Sequence, residues 1–113
     1  YGINTRLIDV AYNDGIDTIV TCDNGIAAID QINYAKQLGM TVIVTDHHDI
    51  PFVENEGKKQ YLSSNADAII NPKQKECPYP FKELCGAVVA FKLVQILYDE
   101  FCVPYEEFKT LFQ

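Results

Sequence analysis

The chain has 113 residues, 48% of them hydrophobic, and a formal net charge of −7. Length and apolar content suit one ordinary globular core. No apolar run approaches the roughly 20 residues that span a bilayer and no basic segment leads into an apolar one at the N-terminus, so a cytoplasmic setting is expected. The acidic balance excludes this segment as a strong phosphate-backbone clamp by itself, because such clamps draw on surplus Lys and Arg.

The basic residues are nevertheless uneven, with Lys58, Lys59, Lys73, Lys75, Lys82 and Lys92 in one stretch; the plain expectation is a solvated face. Cys22, Cys77, Cys85 and Cys102 are too few and too irregular for a disulfide framework or a CxxC zinc site. They are expected to be reduced thiols that pack as small hydrophobes.

From an N-cap at Asn4 or Thr5, Leu7, Ile8 and Ala11 fall on one face of a helix that stops before Gly15. Asp17 to Cys22 is short, β-branched and bounded by turn residues, as a buried parallel strand is. Asp23, Asn24 and Gly25 break it. From Ile26 onward, Ile29, Ile32, Ala35 and Leu38 recur at helical spacing, and Gly39 sits where a left-handed cap residue belongs. Thr41 to Thr45 is a second β-branched strand, ended by Asp46-His47-His48-Asp49 and Pro51. Together these form a β-α-β unit.

Phe52 to Asn65 shows no clear period and reads as a surface excursion. Asp67 to Ile70 predicts a third strand, and Pro72, Pro78 and Pro80 predict an ordered loop over 71–81. A helix beginning near Glu83 or Leu84 carries the stripe Leu84, Val88, Phe91, Val94, Tyr98 and Phe101. Its further apolar residues, Val89, Leu93, Ile96 and Leu97, predict cover on two faces, for which parts of the protein outside this chain are a candidate source. Pro104 opens a short last helix through Phe112.

The chemistry follows from topology. Parallel strands joined by a helical crossover point the same way, and ligands of open α/β sheets bind beyond the strands' carboxyl ends. Asp23 follows one such end and Asp46, His47 and His48 follow another, so these groups are expected on one crest, about 5 Å apart if the strands are neighbours and roughly twice that with one strand between them. Carboxylate oxygen with imidazole nitrogen and no thiolate favours Mn²⁺ or Mg²⁺, and is compatible with Zn²⁺, Co²⁺ or Fe²⁺. Paired ions of this kind activate water and stabilise both oxygens of an in-line displacement at phosphorus, so phosphoester hydrolysis is a natural reading. A lone Asp after a strand is ordinarily a turn former. Adjacent histidines between Asp46 and Asp49 have little packing rationale, because four polar groups make a poor core.

The string Thr45-Asp46-His47-His48 after a TVIV strand resembles the motif that names the DHH phosphoesterases, and Cys22-Asp23-Asn24-Gly25-Ile26 resembles their preceding aspartate motif. Asn71-Pro72-Lys73, Cys77-Pro78-Tyr79-Pro80-Phe81, and Glu83-Leu84-Cys85-Gly86-Ala87 running into Ala90-Phe91-Lys92-Leu93 resemble the RecJ branch, as does the opening Tyr1-Gly2-Ile3-Asn4. The resemblance implies a smaller residue, such as glycine, at the position that Val88 occupies. The resemblance implies that Asp23 and His47 hold metal and that His48 contacts the substrate phosphate, with Asp46 orienting His47. It implies an α/β domain with a mostly parallel sheet flanked by helices, and a single-stranded-DNA-specific exonuclease working 5′ to 3′ in repair or recombination with Mn²⁺ or Mg²⁺, two ions in the whole protein. Single-stranded DNA is the implied substrate, and DNA-repair proteins such as a helicase or a single-strand-binding protein are implied partners; no membrane is implied.

The family's first metal motif is expected before Tyr1, and its fourth aspartate motif and substrate-binding domain after Gln113. On that expectation residues 1–113 are part of one DHH domain, hold half a metal site and are inactive alone. A sister DHH enzyme cleaving oligonucleotides or cyclic dinucleotides, and a non-catalytic nucleotide- or protein-binding module, are the competing readings.

Overall fold

The computed structural model describes residues 2–110, so the predicted helix end at Phe112 lies outside them. Helix α1 (Thr5–Asn13) starts where expected, because the Asn4 side chain accepts a 2.9 Å hydrogen bond from the Leu7 amide and satisfies one of the orphan donors of the first turn. Strand β1 (Thr18–Cys22) follows, then helix α2 (Ile29–Gln37) and strand β2 (Thr41–Thr45). Helix α2 begins three residues later than its apolar spacing predicts. The Ile26 amide is bonded to the Asp46 carboxylate at 3.0 Å, and the Ala28 amide closes a turn onto the Gly25 carbonyl at 3.1 Å. Gly39, at φ +84°, ends α2 in the left-handed conformation that glycine takes without a Cβ clash.

The excursion after β2 holds an antiparallel hairpin, β3 (Phe52–Asn55) and β4 (Lys58–Tyr61), absent from the sequence prediction. Its two-residue turn places Glu56 at φ +53° and Gly57 at φ +76°, the handedness that matches the twist of paired strands. Glu-Gly is a weaker hairpin signal than Asn-Gly or Asp-Gly, and every residue of both strands is exposed, so no in-out alternation marks them. Strand β5 (Ala68–Ile70), helix α3 (Gly86–Glu100) and helix α4 (Tyr105–Thr110) complete the chain.

The main sheet is parallel in the order β1-β2-β5, with Cys22 beside Thr45 and Thr45 beside Ile70 at the carboxyl ends. This confirms an α/β architecture built on a mostly parallel sheet with flanking helices. Its core joins α1, α2 and β2 through Ile8, Ile32, Ala35, Met40, Val42 and Val44, with Ile19 and Ile69 packed against them from the neighbouring strands. Ile19, Val42 and Val44 share one sheet face, as period-two alternation requires. Outside the sheet, Lys36 reaches Asp67 at 2.8 Å, and the same carboxylate accepts the Val42 amide at 2.8 Å, fixing the entry of β5 beside β2.

Helix α3 meets β1 and β2 and fully buries Gly86 and Val89, while Val88, Ile96, Leu97 and Phe101 remain more than a third exposed. Within the described residues, one face of this helix is therefore well covered. No helix among the described residues is long and apolar enough to cross a membrane.

Ile32 is wholly buried at the centre of the core, so Ile32→Ala is expected to cost about 2–5 kcal/mol through lost transfer energy and a residual cavity. The check is a lowered urea midpoint at unchanged slope; a loss below about 1 kcal/mol would mean that the site collapses around the smaller side chain.

Candidate functional site

Two loops leave the carboxyl ends of β1 and β2, and backbone bonds hold them side by side. The Asp23 amide donates to the Thr45 carbonyl at 3.0 Å, and the Asp46 amide to the Ile70 carbonyl at 3.0 Å, so the ladder runs one residue past each strand. Asp23 sits at φ +61°, a left-handed conformation that aspartate tolerates better than most residues. The turn beneath it is tied by the Thr21 hydroxyl, which donates to the Asn24 carbonyl at 2.7 Å, and by the Thr45 hydroxyl, which donates to the Thr21 carbonyl at 2.6 Å.

Gly25 is demanded twice at this turn. Its φ is +109°, and a Cβ there would lie 2.8 Å from the Thr21 hydroxyl oxygen and 3.1 Å from a Val44 methyl. Gly86, the first residue of α3, is demanded by Asp23: a Cβ on it would come within 2.4 Å of a carboxylate oxygen and 2.6 Å of the Asp23 Cβ. This close approach sets the Asp23 carboxylate against the amino end of α3, where the helix carries partial positive charge.

Asp46 is almost completely buried, at 1% exposure, yet leaves no polar atom unpaired. One carboxylate oxygen accepts the Ile26 amide at 3.0 Å; the other accepts the His47 amide at 2.8 Å and the His48 amide at 3.3 Å, and lies 2.6 Å from His48 Nδ1. Burial alone would raise this carboxyl, but the bonds from Ile26, the His48 ring and the two backbone amides outweigh it and hold the group below its ordinary range. An anionic Asp46 makes Nδ1–H the favoured arrangement at His48 and leaves Nε2 for a ligand.

The partnership differs from the implied one: Asp46 orients the His48 ring, while it touches His47 only through the backbone. The cause is local, since a carboxylate bonded to the next two amides curls the chain so that the side chain two residues on returns to it. The His47 ring turns instead to Asp23, with Nε2 2.9 Å from Oδ1. The two imidazoles lie together, ring centres 4.5 Å apart.

Asp23, His47 and His48 thus form the one group among the described residues whose donor atoms could hold a metal ion, all within 4.8 Å of one another. Asp46 is brought to the same crest but lies behind the histidines, committed to its hydrogen bonds. The donor set, one carboxylate and two imidazoles without thiolate, fits a hard or borderline divalent cation. A crevice of about 430 Å³ opens beside it, lined by Asp23, Gly25, Gln31 and His48 among others.

Two residues that position the site were not singled out as functional by sequence reasoning. Asn71, 2% exposed, donates from Nδ2 to the His48 carbonyl at 2.9 Å and accepts the Lys73 amide at 2.9 Å, fixing the loop from behind. Gly86 admits Asp23. Each stood inside a motif, but an Asn before Pro and a Gly before a helix are ordinary loop residues until their neighbours in space are known.

The Asp46 contact raises the His48 imidazole above its ordinary value of 6.5, first through the hydrogen bond and then through the carboxylate's charge, against a smaller opposing effect of burial. A raised histidine contributes stability that is fully present below its unfolded pKa and is lost as pH rises through the folded one. In metal-free protein, NMR titration is expected to give a His48 midpoint above 6.5 that moves down in Asp46→Asn; a wild-type midpoint at or below that value would refute the pairing, even if the variant fails to fold. Gly86→Ala is expected to displace Asp23, with amide shifts concentrated at Asp23 to Gly25 and His47. Unmoved Asp23 shifts would show that α3 yields instead.

Residues 2–111 match the model of the DHH family, N-terminal domain. Over 100 residues the chain is 43% identical to the single-stranded-DNA-specific exonuclease RecJ of Bacillus subtilis, covering 88% of this chain and 12% of that protein. The RecJ proteins of Escherichia coli and Haemophilus influenzae are 41% and 35% identical over 97 and 94 residues, and the chain spans 15% of each. The strand-end aspartate, the Asp-His-His turn and a family match across nearly the whole sequence agree, and the chain belongs to the DHH family.

Proposed function

We propose that this chain is part of the catalytic domain of a metal-dependent exonuclease that hydrolyses single-stranded DNA. The observation that carries the reading is the division of the two histidines on one sheet crest: His47 against Asp23, His48 against buried Asp46. Asp23 and His47 would hold Mn²⁺ or Mg²⁺, with two ions in the whole protein. Bound there, such ions would supply Lewis-acid chemistry, polarising phosphoryl oxygens and lowering the pKa of water.

The chain's own residues supply the rest. His48, fixed by Asp46 at Nδ1, presents Nε2–H to a non-bridging phosphate oxygen when protonated and stabilises charge as it grows in the transition state. Asp46 stays anionic and holds that ring at one angle, so little reorganisation accompanies the reaction. Asn71 keeps the His48 backbone in place. Gly25 lets the turn that carries Asp23 lie on Thr21 and Val44, and Gly86 lets α3 close on Asp23, where any side chain would intrude. In the net reaction, water oxygen bonds to phosphorus, the phosphorus–oxygen bond to the leaving sugar breaks, and that oxygen takes up a proton.

The substrate rests on the relatives, which are named as single-stranded-DNA-specific exonucleases. A 5′-to-3′ direction and a place in DNA repair or recombination, beside helicases or single-strand-binding proteins, rest on the same likeness. Because the chain spans 12–15% of those relatives, activity is assigned to a longer protein.

In that longer protein, His47→Ala and His48→Ala are each expected to lower Mn²⁺-dependent nucleotide release from labelled single-stranded DNA by roughly 100-fold or more, the usual scale for losing one electrostatic contact to the transition state. The 113-residue chain alone is expected to release none. Unchanged release in either folded variant would sink the assignment, and preferential cleavage of cyclic dinucleotides would move the protein to a sister branch.

A further inference from the structure

The hairpin β3–β4 does no work for the core: all its residues are exposed and none joins the core cluster. It does wall a cleft of about 350 Å³ with Asp49 and the loop after β5, and the lining gathers Lys59, Lys73 and Lys75 with Phe52 and Tyr61. In a chain of net charge −7, three lysines in one cleft are a local reversal of sign. Lys73 is 3.3 Å from Asp49, whereas Lys59 and Lys75 have no carboxylate partner among the described residues. Glu54 stands opposite Lys59 in the hairpin register but does not line the cleft.

The aromatic rings are equally out of place for a packing role. Phe52 and Tyr61 face each other across the strands, ring centres 6.1 Å apart and nearly edge to face, yet remain 43% and 49% exposed. Lys59 Nζ lies 4.5 Å from the Phe52 ring centre, which keeps a cation beside the aromatic platform. Exposed rings beside unpaired ammonium groups are the combination that binds a single strand: bases stack on the rings while lysines follow the phosphates.

The cleft adjoins the metal-binding crest. Asp49 follows His48 directly, and Lys73 is anchored through its amide to Asn71, the residue that also holds the His48 carbonyl. A strand whose scissile phosphate sat at His48 would therefore find the cleft along the turn that carries the histidine.

We propose that this cleft is an auxiliary subsite for single-stranded DNA, in which Lys59, Lys73 and Lys75 contact phosphates and Phe52 with Tyr61 stacks a base. It guides nucleotides away from the reacting one and takes no part in the chemistry. The choice of DNA as ligand rests on the function proposed above. The placement of the lysines and rings does not.

The test uses the longer protein in EDTA, where cleavage is stopped, and fluorescence anisotropy with a labelled oligothymidylate of about 15 nucleotides, the scale of a single-strand site. The double variant Lys59→Gln/Lys75→Gln is expected to bind about tenfold more weakly at low salt and to flatten the logarithmic salt slope by about 1.4, which is about 0.7 for each phosphate contact. Phe52→Ala and Tyr61→Ala are expected to weaken oligothymidylate binding about tenfold and to leave an abasic deoxyribose-phosphate strand unaffected. With Mn²⁺ restored, all variants are expected to hydrolyse a single-nucleotide p-nitrophenyl ester at the wild-type rate.

Wild-type binding by the lysine variant, as would occur if the cleft served an acidic protein instead, overturns the subsite. Equal losses on the abasic strand overturn the stacking role. The lysine changes lie at exposed positions and keep the experiment decisive if an aromatic variant misfolds. A protein that binds oligothymidylate through this cleft but hydrolyses no DNA would refute the nuclease reading and leave the subsite standing.

Discussion

The buried carboxylate of Asp46 is the constraint on which the crest depends. Four bonds converge on it, from Ile26 in the loop after β1 and from His47 and His48 in its own loop. A carboxylate at 1% exposure is costly unless it is hydrogen-bonded, and here both of its oxygens face donors. Burying it therefore has one favourable geometry. That geometry joins two loops 20 residues apart, delays the start of α2 and sets the angle of one imidazole.

Around that centre, the fold admits the site by leaving atoms out. Gly25 lets the turn after β1 lie on Thr21 and Val44, and Gly86 lets the amino end of α3 approach Asp23. Thr21 and Thr45 are buried with their hydroxyls bonded across the strand ends, so the crest is cross-braced by side chains where the ladder finishes. The apolar core lies below, on the face shared by Val42 and Val44, and contributes rigidity to the strands but no group to the site. Accessible donor atoms on a braced support suit the metal site proposed above, because such groups must stay within reach while their angles remain fixed.

The hairpin obeys a different logic. It pairs through its own ladder and an edge-to-face aromatic contact, and it hangs on the turn that leaves the site. Its free energy owes little to the core, so its sequence is at liberty to serve recognition. Segments so weakly tied to packing are where binding functions accumulate, since changes there leave the scaffold intact.

Much was legible from sequence alone. The strands Asp17–Cys22 and Thr41–Thr45 and the cap at Asn4 follow from β-branched runs and short-range side-chain chemistry, and they emerge within a residue of their predicted positions. Parallel topology then put Asp23 and the two histidines on one crest, and the pairing of β1 with β2 brought them within reach of one another. Their common crest reflects a rule about strand direction that needs no knowledge of contacts. Tertiary structure decided the rest. Which histidine Asp46 holds depends on how the chain curls by two residues. The need for Gly86 depends on a helix 63 positions after Asp23. The hairpin escaped notice because nothing buries either of its faces, and a strand without a dry side leaves no period in the sequence. Sequence fixes what repeats along the chain; distances between groups far apart in it exist only once the chain has folded.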